Sequence, residues 1–241
     1  MRTLLRFGIS LLLVVTFSSR PTQAVLPFTI SYTYDDTISL EDRTLIERYT
    51  RKALKEFLEL GFKIPAQITV NSVPNTVFPL YTWGTAGCNE SDYSIGTISL
   101  QIGENGIKET SRHEAFHLAQ CATVGVFQWS IHWLDEGSAF MAGNNNWADY
   151  PTPCNLPGTV YDLDNLGDDV YEVGWSATTY LLRKRGGLPA LRKFYRKLGA
   201  TDAGVAFELA FGWTYEAFKD KFAARLARCP VSDVLPLQPT P

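Results

Sequence analysis

Charge of one sign is what this sequence most plainly lacks. Its 22 basic and 25 acidic residues leave a formal net charge of −3, which excludes the basic surface that nucleic acid or an anionic membrane requires. Histidine is scarcer still, with three residues in 241. Cysteine is limited to Cys88, Cys121, Cys154 and Cys229, and their spacing is not that of a zinc finger. They read instead as two disulfides formed in an oxidising compartment, with three pairings open. No internal repeat is evident, so a solenoid or propeller is excluded.

What is present begins with an export signal. Arg2 and Arg6 form a basic start, Leu11 to Phe17 lies in a short apolar core, and Thr22-Gln23-Ala24 ends on a small residue. That order predicts a signal peptide over residues 1–24, cleaved after Ala24. The apolar core is too short, and too soon followed by Ser18-Ser19-Arg20-Pro21, to favour a membrane span. An uncleaved N-terminal anchor is the alternative. No cysteine follows the core, so a lipid anchor is not expected. Cleavage removes three arginines and no acid, leaving a more acidic chain. A secreted, periplasmic or cell-envelope location follows, without stable membrane insertion. Residues 230–241 are proline-rich and expected to be disordered, and 25–229 suits one domain with a proper core.

Within that domain the pattern is α+β. Residues 25–38, with Phe28, Ile30 and Tyr32, read as a first strand. Ser39 caps a helix whose apolar positions from Leu45 to Leu58 follow helical spacing until Gly61. Pro65 to Val70 is a second strand. Phe78 to Asp92 reads as a loop of glycine, aromatic and small residues. Ile98, Leu100 and Ile102 then alternate with Thr97, Ser99 and Gln101, giving a half-buried strand. Asn144 to Asp169 is a long polar loop that could wall a cleft, and from Tyr171 onward the chain reads as helices broken at Gly186-Gly187, Gly199 and Gly212. A small N-terminal mixed sheet with its helix (25–122) is thus followed by a mostly helical lobe (123–229).

The chemistry concentrates in His113-Glu114-Ala115-Phe116-His117, which holds two of the three histidines. Lys108 to Ala122 contains neither glycine nor proline, and Asn105-Gly106 supplies the break before it. Side chains four residues apart stack on one helix face, so His113 and His117 can grip one metal ion. Glu114 lies beside them, able to reach a water at the metal without being a ligand. Two imidazoles and a water leave tetrahedral zinc one protein ligand short. Glu136, after eighteen intervening residues, is the candidate.

With that second segment, Trp133-Leu134-Asp135-Glu136-Gly137-Ser138-Ala139, the chain resembles the gluzincin branch of zinc metallopeptidases, including peptidase MA-like proteins. In aminopeptidases related to leukotriene A4 hydrolase the separation is the same. Tyr171-Glu172-Val173-Gly174 is similar to their Y-E-x-G segment. The resemblance spans roughly Gly96 to Arg228 and implies a zincin-like fold holding one Zn2+. It makes Glu136 the third ligand, Glu114 the general base and Tyr171 the oxyanion stabiliser. It also implies that Thr97 to Gln101 forms a sheet edge, with Thr97, Ser99 and Gln101 lining the cleft for a peptide or protein substrate. The chain departs from those aminopeptidases in having no G-x-M-E-N segment before His113, the element that holds a free amine. Cleavage within chains is therefore expected, rather than aminopeptidase action. The alternative is a secreted zincin-fold binding protein without turnover, although such a scaffold has no need of Glu114. His132 reads as a structural histidine or one that supports a ligand from behind, rather than a fourth ligand, because a catalytic zinc needs a position open to water. Asp135 reads as an acidic residue of a first helical turn, or a carboxylate holding a ligand imidazole.

Overall fold

The computed structural model describes residues 26–125, 130–143 and 162–228. The signal peptide, the proline-rich tail, Cys154, Cys229 and most of the long polar loop lie outside the described residues.

The chain opens with β1 (Thr29–Tyr34), α1 (Leu40–Glu59) and β2 (Gln67–Pro74), the two strands pairing parallel. Ser39 caps α1 by accepting a hydrogen bond from the Asp42 amide at 3.0 Å, with Glu41 and Asp42 favourably placed at the positive end of the helix. Buried Ile46, Ala53, Leu54 and Phe57 form its inward stripe. The chain leaves at Gly61, whose φ of 82° suits glycine. Next come β3 (Trp83–Asn89) and β4 (Asp92–Ile102), which pair antiparallel. The mixed sheet has the order β1-β2-β4-β3.

This order corrects two expectations. The stretch read as a loop from Phe78 to Asp92 contains β3. The strand read as an edge, β4, lies inside the sheet. Its main chain is committed to β2 along one side and β3 along the other, so Thr97, Ser99 and Gln101 cannot receive an extended substrate by strand addition. The sheet's two edges are β1 and β3, of which β3 lies against α2.

α2 (Ile107–Val124) carries the two-histidine motif. α3 (His132–Gly143) follows, and after a 3-10 turn at Gly167–Asp169 come α4 (Val170–Lys184), α5 (Gly187–Leu198), α6 (Ala203–Phe211) and α7 (Tyr215–Leu226). The sheet buries Ile68, Val70, Ile98 and Leu100 against the helices. Phe116 of α2 packs edge-on against Phe57 and Phe62, with ring centroids 5.0 and 5.2 Å away.

Two connections fix α2 in place. The Arg112 guanidinium, 2% exposed, donates from Nε to the Ala142 carbonyl at 3.1 Å and from both terminal nitrogens to Glu56 at 3.1 and 3.3 Å. One planar cation thereby joins α1, α2 and α3, with geometry that lysine could not copy. The second connection is covalent: Cys88 of β3 is bonded to Cys121 of α2, a bridge that contributes about 4 kcal/mol by the chain-entropy relation for a loop of this size. Among the described residues, no helix is long and apolar enough to cross a membrane.

Candidate metal centre

The site is built where α2 meets α3. One helical turn separates His113 from His117 and brings their Nε2 atoms to 3.0 Å. Glu136, in the second turn of α3, points its Oε2 at both, 3.4 Å from His113 and 3.5 Å from His117. The three potential ligand atoms lie within 4.8 Å of one another. The expected ligand set is therefore brought together from two helices. His132 is exposed and takes no part in it.

Glycine makes this approach possible. A Cβ at Gly137 would sit 2.2 Å from the Gly174 carbonyl oxygen, and one at Gly174 would sit 2.7 Å from the Trp133 oxygen. The backbones of α3 and α4 therefore touch where a larger residue would separate them. The glycines of Glu136-Gly137 and Tyr171-Glu172-Val173-Gly174 are thus the two halves of one contact. It sets Tyr171, in the first turn of α4, beside the triad, its ring 6.4 Å from that of His113 and 6.3 Å from that of Phe140.

Glu114 is 4% exposed. It lies beneath β3, where a Cβ at Gly84 would come within 2.6 Å of the glutamate Cγ. Its Oε2 has no hydrogen-bond partner among the described residues. A buried carboxylate oxygen left without a donor is costly, so it needs a solvent molecule or ligand proton from the cleft. Burial pushes the Glu114 pKa up to about 7, outweighing the His117 charge.

Sequence reasoning missed the residue that orients His117. Gln120, one turn further along α2, places Oε1 2.6 Å from His117 Nδ1. An amide oxygen only accepts, so Nδ1 carries the proton and Nε2 faces the triad. Gln120 is itself held, donating from Nε2 to the Tyr195 hydroxyl at 2.8 Å and the Asp135 carbonyl at 3.0 Å. The available signal was a lone amide three residues past His117 in an alanine-rich turn. The Asp135 carboxylate does not hold an imidazole. It accepts from Ser130 and Tyr195, each at 2.9 Å, and burial drives its pKa up to about 7 against those donors. We expect Gln120→Ala to weaken metal affinity about 10–100-fold, as read by competition with a coloured chelator.

Without a metal the triad is a hydrogen-bonded ion pair. Burial raises the Glu136 pKa, but hydrogen bonds and charge from both imidazoles reverse that and hold it well below the usual carboxylate range. Burial lowers His113. At His117 burial acts in the same sense, but the Glu136 hydrogen bond and charge overcome it and carry the pKa up to about 9. A ligand imidazole must be neutral, so metal uptake near pH 7 should expel about one proton, mainly from His117. Affinity should then rise with pH and level off above about 9. Calorimetry in buffers of different ionisation enthalpy measures that proton. Uptake without proton release would contradict this charge state.

These three residues, with Glu114, form the floor of a cleft of about 850 Å³. Trp83 to Ala86 of β3 and the Tyr171–Phe140 pair form its walls. Thr97, Ser99 and Gln101 do not line it. Ser99 and Gln101 face a smaller hollow on the outer side of the sheet. Two imidazoles and one carboxylate suit a borderline-soft divalent ion with a position left open. Compared with known proteins, the chain matches no family model, no curated protein and no solved structure.

Proposed function

We propose that the chain is an exported, zinc-dependent peptidase of gluzincin type that hydrolyses peptide bonds within chains. The observation that carries this reading is the convergence of His113, His117 and Glu136 within 4.8 Å on a cleft floor that also holds a buried carboxylate outside the ligand set. A structural zinc site would normally be closed by four protein ligands and would have no use for Glu114.

A zinc ion held by the triad supplies Lewis acidity, lowering the pKa of a water it binds toward about 7 and polarising a carbonyl. The protein's residues do the rest. The edge of β3 offers its main-chain N–H and C=O groups to an extended peptide, laying the scissile bond across the floor. Glu114 accepts a proton from the attacking water at its unpartnered Oε2 and returns it to the departing amine nitrogen. The Tyr171 hydroxyl donates a hydrogen bond to the carbonyl oxygen as negative charge develops, adding no charge of its own. The Cys88–Cys121 bridge fits an oxidising, extracytoplasmic setting.

The test is metal analysis of the purified protein together with digestion of a broad peptide library, repeated with a chelator and after zinc is restored. One bound zinc, with cleavage lost on chelation and regained on repletion, is expected. Failure to take up a divalent ion would overturn the reading.

A further inference from the structure

The outer face of the sheet carries a second hollow, of about 560 Å³. Alternation along the strands turns two rungs of side chains outward there. Asn71, Ser99 and Thr85 lie side by side across β2, β4 and β3, and Val73, Gln101 and Trp83 form the adjoining rung. Phe78 closes the end, with its ring 6.3 Å from that of Trp83. These two aromatics are 59% and 49% exposed.

The aromatic end is built rather than loose. Buried Asn75 accepts from the Val77 and Phe78 amides at 3.1 and 2.9 Å and donates to the Tyr81 carbonyl at 2.8 Å. That turn fixes where Phe78 stands before any ligand arrives, which reduces the ordering cost of binding. Among the described residues, no carboxylate, ammonium or guanidinium lines the hollow, although charged residues make up 20% of the chain.

We propose that this hollow binds a neutral glycan strand. Sugar hydroxyls both donate and accept, and so do the amides of Asn71 and Gln101 and the hydroxyls of Ser99 and Thr85. The C–H faces of a pyranose ring stack on the flat, exposed rings of Phe78 and Trp83, which offer large contact area at small entropic cost. A polyanion finds no cation here to pair with. The hollow shares Trp83, Gly84 and Thr85 with the wall of the metal cleft, whereas Asn71, Phe78, Ser99 and Gln101 lie outside that cleft, so substitutions at Phe78, Ser99 and Gln101 test the glycan site apart from the peptidase reading. In an exported protein it would tether the cleft to a carbohydrate surface.

Affinity electrophoresis of the full chain in gels containing soluble xyloglucan, and co-sedimentation with cellulose and with chitin, test the site, with alginate as the polyanionic comparison. Retention by at least one neutral polymer but not by alginate is expected. The double variant Phe78→Ala, Gln101→Ala should bind about tenfold more weakly. Ser99→Glu, which places a charge in the centre of the hollow, should abolish retention. All three positions are exposed, and an unchanged unfolding midpoint shows that the fold is intact. Absence of retention by all three neutral polymers, equal retention by alginate, or wild-type binding by the double variant would each overturn the proposal. So would a dimer that the double variant dissolves in the absence of glycan retention, which would make the face a contact between copies.

Discussion

On the proposed peptidase reading, Glu114→Gln is expected to keep its metal and to lower kcat by about a thousandfold, within the roughly 10²–10⁴ that a positioned acid–base group supplies. Glutamine has nearly the same shape, and the Glu114 stem is packed so closely under Gly84 that only an isosteric replacement leaves the wall undisturbed. The amide cannot take a proton from water, so the step that generates the nucleophile is lost while the triad is untouched. KM should change little, because the missing interaction acts in the transition state. Metal content, circular dichroism and peptide turnover measured on the same preparation decide the matter. Substantial hydrolysis by a zinc-loaded Glu114→Gln protein would remove this residue from the base role.

The second large effect is structural. In Gly137→Ala the added methyl would lie 2.2 Å from the Gly174 oxygen, 2.3 Å from its carbonyl carbon and 2.6 Å from Thr178 Oγ1. Main-chain atoms cannot swing aside as a side chain can, so α3 and α4 must separate. We expect a loss of about 3 kcal/mol, the upper end for overpacked positions. Because Glu136 adjoins the contact, metal affinity should fall with stability. Gly174→Ala strikes the same contact from the other side. The two substitutions combined should therefore cost less than their sum. Denaturant unfolding and chelator competition measure both consequences. A Gly137→Ala protein as stable as its parent would mean that the two backbones do not touch.

How much of this was legible in the sequence depended on how local the signal was. The capped helix after Ser39, the two stacked histidines and the glycine-ended helices of the second lobe are written in spacing, and spacing survives without tertiary information. β3 was not legible, for a reason that lies in the site. Trp83-Gly84-Thr85-Ala86-Gly87-Cys88 has none of the bulky alternation of a strand, because its inward positions lie on α2 and must be small there. Tertiary contact with Glu114 erased the propensity that would have announced the strand. The misplaced edge followed directly, since β4 looks like an edge only while its outer neighbour is hidden. The pairing of Cys88 with Cys121 was unreadable for the same reason. The Asp135–Tyr195–Gln120 chain joins residues up to 75 apart in sequence, a relation that no local pattern records.

The Cys88–Cys121 bond has one more consequence. It lies at the far end of the strand that forms the cleft's wall, and it enters α2 four residues beyond His117. Cleft wall and metal-site helix are therefore one covalent piece, and the two cannot be peeled apart at that end. Any widening of the groove is left to the opposite bank, where Tyr171 and Phe140 stand.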